Sequence, residues 1–468
     1  KSQTRPNRGF YIILVSLKKP NNMVQKYLFS HSELASSREI IFRATPLGKL
    51  RSVLPLEDLT NQLPAKSCAQ GAKPWFDRRG LIALMFLKSY YSELSDASLI
   101  EQMNGNWHMQ LFCGIQLADH EQIKDLSIVS RIRTYLGKYL DLSVFQQGLI
   151  SHWKEDMKQT HVNMQDATVY ESYIKYPTDV KLLWDCCEFL HDFYENLRQS
   201  THQKKEKHSF KPQGIKQRSF NLLRKKSHKK SRRRRSQLLK LLARLNNLIK
   251  PLLEKFGHLL RLCEKRSARY QTILTIMSQQ RYLHDNPGKK VADRIVSLCK
   301  PYVRAIVRGK ENKAVEFGLK VNMMQVDSIN IIEHYSYNAY NECNRIEPAI
   351  ALHKKLFGDV HQVAADRIYA TNANRTYLKK ENIAHNFIPK GKGDTPQKKQ
   401  LRNALNRGRS TILEGSFGNE KNHYGLRKVK ARNQANEMIW IFFAVMTANA
   451  VKMVKKKNDK DPRLRKVA

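Results

Sequence analysis

The first third of the chain carries apolar residues three and four positions apart, the spacing that places them on one face of an α-helix. This spacing predicts helices at residues 47–54, 79–92, 96–103, 108–112 and 127–136. Ser95 directly precedes the third of them, where its hydroxyl can accept a hydrogen bond from the first helical turn. We therefore expect a helical domain over residues 38–156, with residues 1–37 as a tail or extension.

From residue 161 the pattern changes to the alternation of apolar and polar residues that is typical of a half-buried strand. Pro177 ends this stretch, and helical spacing resumes at 180–197. Farther along, the pattern predicts strands at 314–324, 329–340, 362–365 and 384–389, with a helix at 346–357. Strands interleaved with helices indicate an α/β layer architecture.

Residues 199–309 interrupt this region with a mostly helical pattern. Apolar residues between Leu238 and Leu252 fall on one helical stripe, and the spacing continues at 273–277, beyond an expected disturbance at Pro251. The pattern predicts an inserted helical hairpin or bundle.

The most apolar stretch, residues 438–454, is short for a bilayer span and contains Asn449 and Lys452, so it predicts a buried core helix. The apolar run at 11–17 is too short for a secretory signal and is followed by Lys18. Seven cysteines without CxxC spacing indicate a reduced chain with neither a zinc module nor a disulfide framework. We expect a cytoplasmic protein with no membrane segment.

The net charge of the chain indicates which class of partner it binds. The chain has 84 Lys and Arg against 41 Asp and Glu in 468 residues, a formal net charge of +43. Such an excess binds phosphate groups and releases their counterions, so nucleic acid is expected. A purely structural basic protein is the alternative, but 41% apolar residues suffice for buried cores in roughly three domains. On such a chain the helical domain suits either reading of the DNA major groove or dimerisation.

The most concentrated charge lies at residues 224–235, where nine of twelve residues are Lys or Arg and none is acidic. Runs of this kind are usually solvated and flexible, and on this chain we expect contacts with phosphate groups. A localisation-like signal and a solubility segment are the alternatives.

Three acidic residues at the edges of predicted helices and strands indicate a metal site for phosphoryl transfer. Asp166, Asp366 and Glu414 are far apart in sequence, but if folding brings them together they can hold two divalent cations that clamp the attacking and leaving oxygens of phosphoryl transfer. Taken singly, such acids more often cap an element or form an ion pair. Lys421 follows Glu414 by seven residues, so we expect both on one helix face, where Lys421 can contact a DNA phosphate, whereas Glu420 should face elsewhere.

In combination, the segments around these residues resemble a DDE transposase of bacterial insertion sequences. Residues 74–103 resemble the amino-terminal helical domain of that group, and residues 165–179 its first catalytic strand and the following turn. The next core strand and the second and third catalytic segments are similar to residues 315–321, 364–378 and 412–432.

The resemblance implies an RNase H-like, mixed-sheet α/β catalytic core with an N-terminal helical domain and a helical insertion. The catalytic domain is then discontinuous, with residues 157–198 and 310–455 on either side of a basic insertion at 199–309. Residues 456–468 form a basic C-terminal tail.

The same resemblance implies that Asp166, Asp366 and Glu414 are the catalytic, metal-binding triad. The expected cofactors are two Mg²⁺ ions, for which Mn²⁺ can substitute. The expected reaction is cleavage of double-stranded DNA at the element's ends and attack of the released 3′-hydroxyl on target DNA, by a homodimer on paired ends near the bacterial nucleoid. An RNase H-like nuclease without strand transfer and a non-catalytic DNA-binding descendant of a transposase are the alternatives.

This chain departs from the family pattern near the triad. The Tyr and Arg that often precede the Glu are replaced by Arg407 and Ser410, with Arg409 displaced by one residue, and Ile368 stands where Gly commonly follows the second Asp. The residues expected to contact DNA are Lys421, Arg409, Arg407, Arg224, Lys225, Lys226, Arg232, Arg233, Arg234 and Arg235.

Overall fold

The computed structural model describes residues 31–64, 74–118, 120–204, 228–257, 263–308, 314–391 and 394–460. The predictions for residues 1–30 and for Arg224, Lys225 and Lys226 lie outside the described residues.

Helices make up the N-terminal region, in close agreement with the apolar spacing. They are α1 (His31–Ala44), α2 (Pro46–Ser52), α3 (Leu56–Leu59), α4 (Arg78–Tyr90), α5 (Asp96–Gly105), α6 (Trp107–Phe112), α7 (Ile128–Tyr139) and α8 (Leu142–Trp153). The Ser95 hydroxyl caps α5 as predicted, accepting from the Ser98 amide at 3.0 Å. α8 was not predicted, and it begins where Asp141 accepts from the Ser143 amide at 2.9 Å. α1 begins inside the range that was expected to be an extension.

A mixed sheet forms the second region. Its strands are β1 (Val162–Glu171), β2 (Ala305–Val307), β3 (Val315–Val326), β4 (Ile329–Ser336), β5 (Gln362–Ala365) and β6 (Ala384–His385). The order across the sheet is β4–β3–β1–β5–β6, and β2 lies beside the first residues of β3. β1 is antiparallel to β3 and parallel to β5, so it lies at the centre of the sheet.

Two predicted strands were too long. β6 stops at His385 because the next residue, Asn386, pairs with β5 through its side chain instead of its backbone. β4 stops at Ser336, whose hydroxyl accepts from the Asn338 amide at 3.0 Å and turns the chain away from the sheet.

The insertion is helical over most of its described residues, as predicted, although β2 lies within its expected range. It packs with the helix that precedes it. α9 (Asp179–Ser200), α10 (His228–Phe256) and α11 (Glu264–Asp285) form a three-helix unit. Their facing side chains make a hydrophobic core separate from that of the sheet.

One expectation about α10 was wrong. Pro251 does not interrupt the helix, because Leu252 and Leu253 beyond it continue to pack on the unit's core. The described part of the basic run, from His228 onward, is helical and belongs to α10.

The remaining helices surround the sheet. They are α12 (Ile346–Phe357), α13 (Asn372–Lys380), α14 (Pro396–Gly408), α15 (Glu414–His423) and α16 (Gln434–Lys460). α16 joins the N-terminal helices to the sheet in one core, where Phe443 packs edge-on against Phe86 of α4 with 5.1 Å between ring centroids. Within the described residues α16 is long and apolar enough to cross a membrane, but 78% of its most apolar window is buried in the protein. The predicted core helix is confirmed.

A buried ion pair anchors the chain where it leaves the three-helix unit. Lys300 Nζ lies 2.5 Å from Glu437 Oε1 of α16, and both side chains are almost fully buried. The second oxygen of Glu437 accepts from the hydroxyls of Ser172 at 2.9 Å and Tyr337 at 2.7 Å. The end of β1, the exit of the unit and the core helix therefore meet at one carboxylate.

Candidate active site

Two of the predicted acids are neighbours on parallel strands. β1 and β5 pair in register through Gln165 and Ala365, so the next residues, Asp166 and Asp366, lie side by side. Asp366 is the first residue after β5, and its Oδ1 accepts from the Arg367 amide at 2.7 Å. The hydrogen-bonded sheet thus fixes the relative position of two residues that are far apart in sequence.

An asparagine that no sequence pattern indicated supports the position of Asp366. Oδ1 of Asn386 accepts from the Ala365 amide at 3.0 Å, and its Nδ2 donates to the Ala365 carbonyl at 2.8 Å. The same Nδ2 donates to Oδ1 of Asn406 at 2.7 Å. Asn386 therefore ties the end of β5 to α14, the helix that leads to Glu414.

Glu414 reaches this place through an irregular stretch of helix. α14 and α15 are joined by a π-helical turn, Arg409–Leu413. Residues five positions apart diverge on an α-helix but share a face of a π-helix, whose hydrogen bonds link residue i to residue i+5. The turn therefore brings Arg409 onto the face of Glu414, which compensates for its one-residue displacement from the family position now held by Ser410.

The guanidinium of Arg409 lies where the three carboxylates meet. Nη1 is 3.1 Å from Asp166 Oδ2 and 2.8 Å from Glu414 Oε1, and Nη2 is 3.8 Å from Asp366 Oδ1. The side chains of Arg409 and Asp166 are each 17% exposed, whereas those of Asp366 and Glu414 are about half exposed. The structure brings the predicted triad together around one cation, in a site open to solvent on one side.

The donor set fits a divalent cation in its chemistry. Carboxylate oxygens are the ligands that Mg²⁺ and Mn²⁺ prefer. Burial raises the pKa of Asp166 to about 6, while the charge of Arg409 and the hydrogen bond from Ala167 oppose this effect. Arg409 lies between the three carboxylates, and no group of three or more His, Cys, Asp or Glu among the described residues is arranged to hold a metal ion.

Two neighbouring residues near the end of α15 differ in their burial. Glu420 is fully buried and accepts hydrogen bonds from the Tyr170 hydroxyl and from Asn330 Nδ2, the latter at 2.5 Å. It faces away from the triad, as helical spacing predicted. Lys421 is half-buried, with its ammonium 5.9 Å from the centroid of the Tyr170 ring, and Arg407 is exposed on α14. Contacts of Lys421 and Arg407 with DNA stay predictions.

The basic residues of α10 also divide into two kinds. Arg232 and Arg233 are exposed on the first turns of the helix. Arg234 hydrogen-bonds a glutamine of the same helix at 2.9 Å, and Arg235 forms an ion pair with Asp179 of α9 at 3.2 Å. Arg235 thus stabilises the three-helix unit, and the DNA contacts predicted for this group remain to be tested.

Family models match both ends of the described chain. A transposase domain model (DUF772) matches residues 33–135, and a transposase DDE domain model matches residues 363–448. The second match includes Asp366 and Glu414, while Asp166 lies outside both. No curated protein and no solved structure matches the chain.

The two matches support the class of DDE transposases, and the mixed α/β core of the protein is consistent with the fold of that class. Together they support an insertion-sequence DDE transposase, a metal-dependent enzyme that processes nucleic acid. The resemblance found in the sequence is confirmed.

Proposed function

We propose that the protein binds the ends of an insertion sequence, cleaves the DNA there and joins the released 3′-hydroxyls to target DNA in the bacterial cytoplasm. Asp166, Asp366 and Glu414 are the proposed catalytic and metal-binding residues, with Mg²⁺ as cofactor and Mn²⁺ as a substitute. The observation that carries this proposal is the meeting of the three carboxylates, delivered by β1, the end of β5 and the start of α15, around one guanidinium.

The chain's own residues bind and orient the DNA in this reaction. The triad would hold two divalent ions, which would activate the attacking oxygen and stabilise the leaving oxygen. Lys421 and Arg407 are the proposed contacts to phosphate oxygens, which is supported by their positive charge and their positions on α15 and α14, the helices on either side of the π-helical turn. No side-chain nucleophile is needed, because the attacking group is water in cleavage and the DNA 3′-hydroxyl in joining.

A strand-transfer assay tests the proposal. The purified protein is incubated with duplex fragments from the DNA that flanks its coding sequence, with a target plasmid and either Mg²⁺ or EDTA. Joined products should appear in the reaction with Mg²⁺ and not in the reaction with EDTA. They should be absent when the Asp366→Asn variant is used. Glu381→Gln, which alters a half-buried carboxylate paired with Lys354, is the matched control and should retain them.

The remaining outcomes separate the alternatives. Metal-dependent cutting without joined products would identify an RNase H-like nuclease. DNA binding without any cutting would identify a non-catalytic descendant.

We propose further that the active species is a homodimer on paired ends, because two equivalent inverted ends match the two-fold symmetry of most homo-oligomers. Asp366→Ala protein is mixed with active protein at varied ratios. Cooperating sites should yield incompletely joined products, whereas independent monomers would give fewer but complete ones. Sizing the protein with and without end DNA then shows whether pairing precedes DNA binding.

A further inference from the structure

We propose that Arg409 is an internal counter-ion that holds the triad in place in the metal-free protein and must leave for divalent metal to bind. The inference rests on the proposed metal site, because it concerns how the same three carboxylates are occupied before metal arrives. It assigns Arg409 a positioning role in place of the direct DNA contact that was predicted.

The contacts support this role more strongly than a single ion pair does. One nitrogen of the guanidinium is shared by Asp166 and Glu414, at 3.1 and 2.8 Å, and the other faces Asp366. Within the described part of the chain, the ion pairs of all three carboxylates are made to Arg409. A cation in contact with every ligand of a site occupies the space where a metal ion would coordinate the same oxygens.

The local backbone is built to place the guanidinium there. The π-helical turn begins at Arg409 and ends just before Glu414, so both side chains leave the same face of the helix. The Arg409 side chain is 17% exposed and extends inward to Asp166, at the centre of the sheet. Exposed Arg407, two residues earlier, has no such contact with the triad among the described residues.

The arrangement has a physical rationale. Carboxylates held close together repel one another and disfavour the folded site unless a positive charge balances them. An arginine supplies that charge as a planar, permanently protonated group with several donors. A divalent ion can replace it only by breaking these contacts, so the apparent metal affinity of the wild-type protein is reduced by the competition.

The test measures metal binding and thermal unfolding of the full chain without DNA. Mg²⁺ and Mn²⁺ are titrated by calorimetry into wild type, Arg409→Gln, Arg409→Lys and Arg407→Gln. Arg407→Gln is the matched control, since it removes the same charge from an exposed position on the same continuous helix. Thermal unfolding is followed in EDTA and in Mg²⁺.

Removing the competitor should tighten metal binding while weakening the metal-free protein. Arg409→Gln should bind Mn²⁺ about tenfold more tightly than wild type or better, and should unfold at a lower temperature in EDTA. Saturating Mg²⁺ should restore more of its stability than it adds to wild type. Arg409→Lys keeps the charge and should lie between wild type and Arg409→Gln, and Arg407→Gln should stay within about twofold of wild type.

Unchanged or weaker metal binding by Arg409→Gln, with a native circular dichroism spectrum, overturns the inference while leaving the metal site intact. Equal tightening in Arg407→Gln also overturns it, because the effect would then come from net charge. If wild type, Arg409→Gln and Arg409→Lys all fail to bind either metal, the proposed metal-dependent function itself fails.

Discussion

The candidate active site and the three-helix unit arrange charge in opposite ways. In the unit, the single carboxylate of Asp179 faces Arg235 at 3.2 Å, Gln280 Nε2 at 3.1 Å and Arg294. At the site, the single guanidinium of Arg409 faces three carboxylates. Asp179 is saturated by permanent cations and fixes helices to one another. The triad keeps a surplus of negative charge, which on a chain with a net charge of +43 marks a place for a cation that the chain does not supply.

This difference predicts opposite outcomes for two aspartate-to-alanine changes. Asp366→Ala removes a proposed metal ligand, so DNA cleavage should fall by about a thousandfold or more. Asp179→Ala leaves two arginines without their shared partner and should lower the free energy of unfolding by about 2 kcal/mol, with cleavage per folded molecule unchanged. Cleavage assays and denaturant unfolding of both variants measure the two effects. Loss of cleavage in fully folded Asp179→Ala would remove the distinction between the regions.

A buried group beside the sheet stays neutral, unlike the charged cluster at Asp179. His353 of α12 donates from Nε2 to the Thr160 carbonyl at 2.7 Å and accepts at Nδ1 from Asn163 Nδ2 at 3.2 Å. Burial lowers the pKa of His353 from 6.5 to about 4. The unfolded chain therefore takes up a proton below pH 6.5 that the folded protein resists until about pH 4. This contribution to stability is lost as the pH falls through that window, by up to about 3 kcal/mol.

The measurement is the difference between wild type and His353→Leu in denaturant unfolding from pH 7 to pH 4. Comparison with the variant is necessary because the raised pKa of Asp166 acts in the opposite direction, adding stability as the pH falls through about 6. The wild-type curve should decline relative to that of His353→Leu. Parallel curves would show that His353 does not resist protonation in the folded protein.

Periodicity predicted most of the fold because it records which side of an element is buried. The apolar spacing located α4, α12 and β5 within a residue or two, and the resemblance located the acids that the sheet brings together. The predicted disturbance of the helix at Pro251 was wrong. A proline removes one helical hydrogen bond, but packing on either side decides whether the helix continues.

Neither apolar periodicity nor the family resemblance predicted the features that hold the candidate site in place. A π-helical turn changes the direction of Arg409 by inserting one residue, which spacing along the sequence does not reveal. Asn386 acts through its side chain on backbone groups of a strand 21 positions away, and that pairing depends on which groups the sheet leaves unbonded. The sequence contained one signal of this turn, the displacement of Arg409 by one residue from the family position before Glu414. The π-helical turn in the structure explains that displacement.

The exposed arginines of α10 and the arginine paired with Asp179 should differ in their effects on DNA binding and on stability. The double change Arg232→Gln and Arg233→Gln should weaken binding to random-sequence duplex DNA and reduce the slope of log K against log salt by about 0.9 for each phosphate group that the variant no longer binds. Arg235→Gln breaks the ion pair with Asp179, so it should lower stability by up to about 1 kcal/mol and change the slope little. Affinities at several salt concentrations test both. An unchanged slope in the double variant would leave the segment as a solvated helix face.

The smallest expected effect concerns the contact that positions α14 against β1. A Cβ at Gly408 would lie 2.9 Å from Met164 Cε, two residues before Asp166. Gly408→Ala gains helix propensity, and the flexible methionine can move at little cost, so the free energy of unfolding should change by less than about 1 kcal/mol. A small shift of the helix that carries Arg409 and Glu414 should still lower cleavage by about threefold, because catalysis is sensitive to such displacements.

The double variant Gly408→Ala with Met164→Ala decides whether that contact is the cause. Shortening the methionine removes the atom that the new Cβ meets, so cleavage should recover toward the value of Met164→Ala alone. Steady-state cleavage rates and unfolding curves of the two single variants and the double variant complete the cycle. Additive losses would mean that α14 and β1 hold their positions independently of this contact, and the site would then depend on Asn386 and the π-helical turn for its alignment.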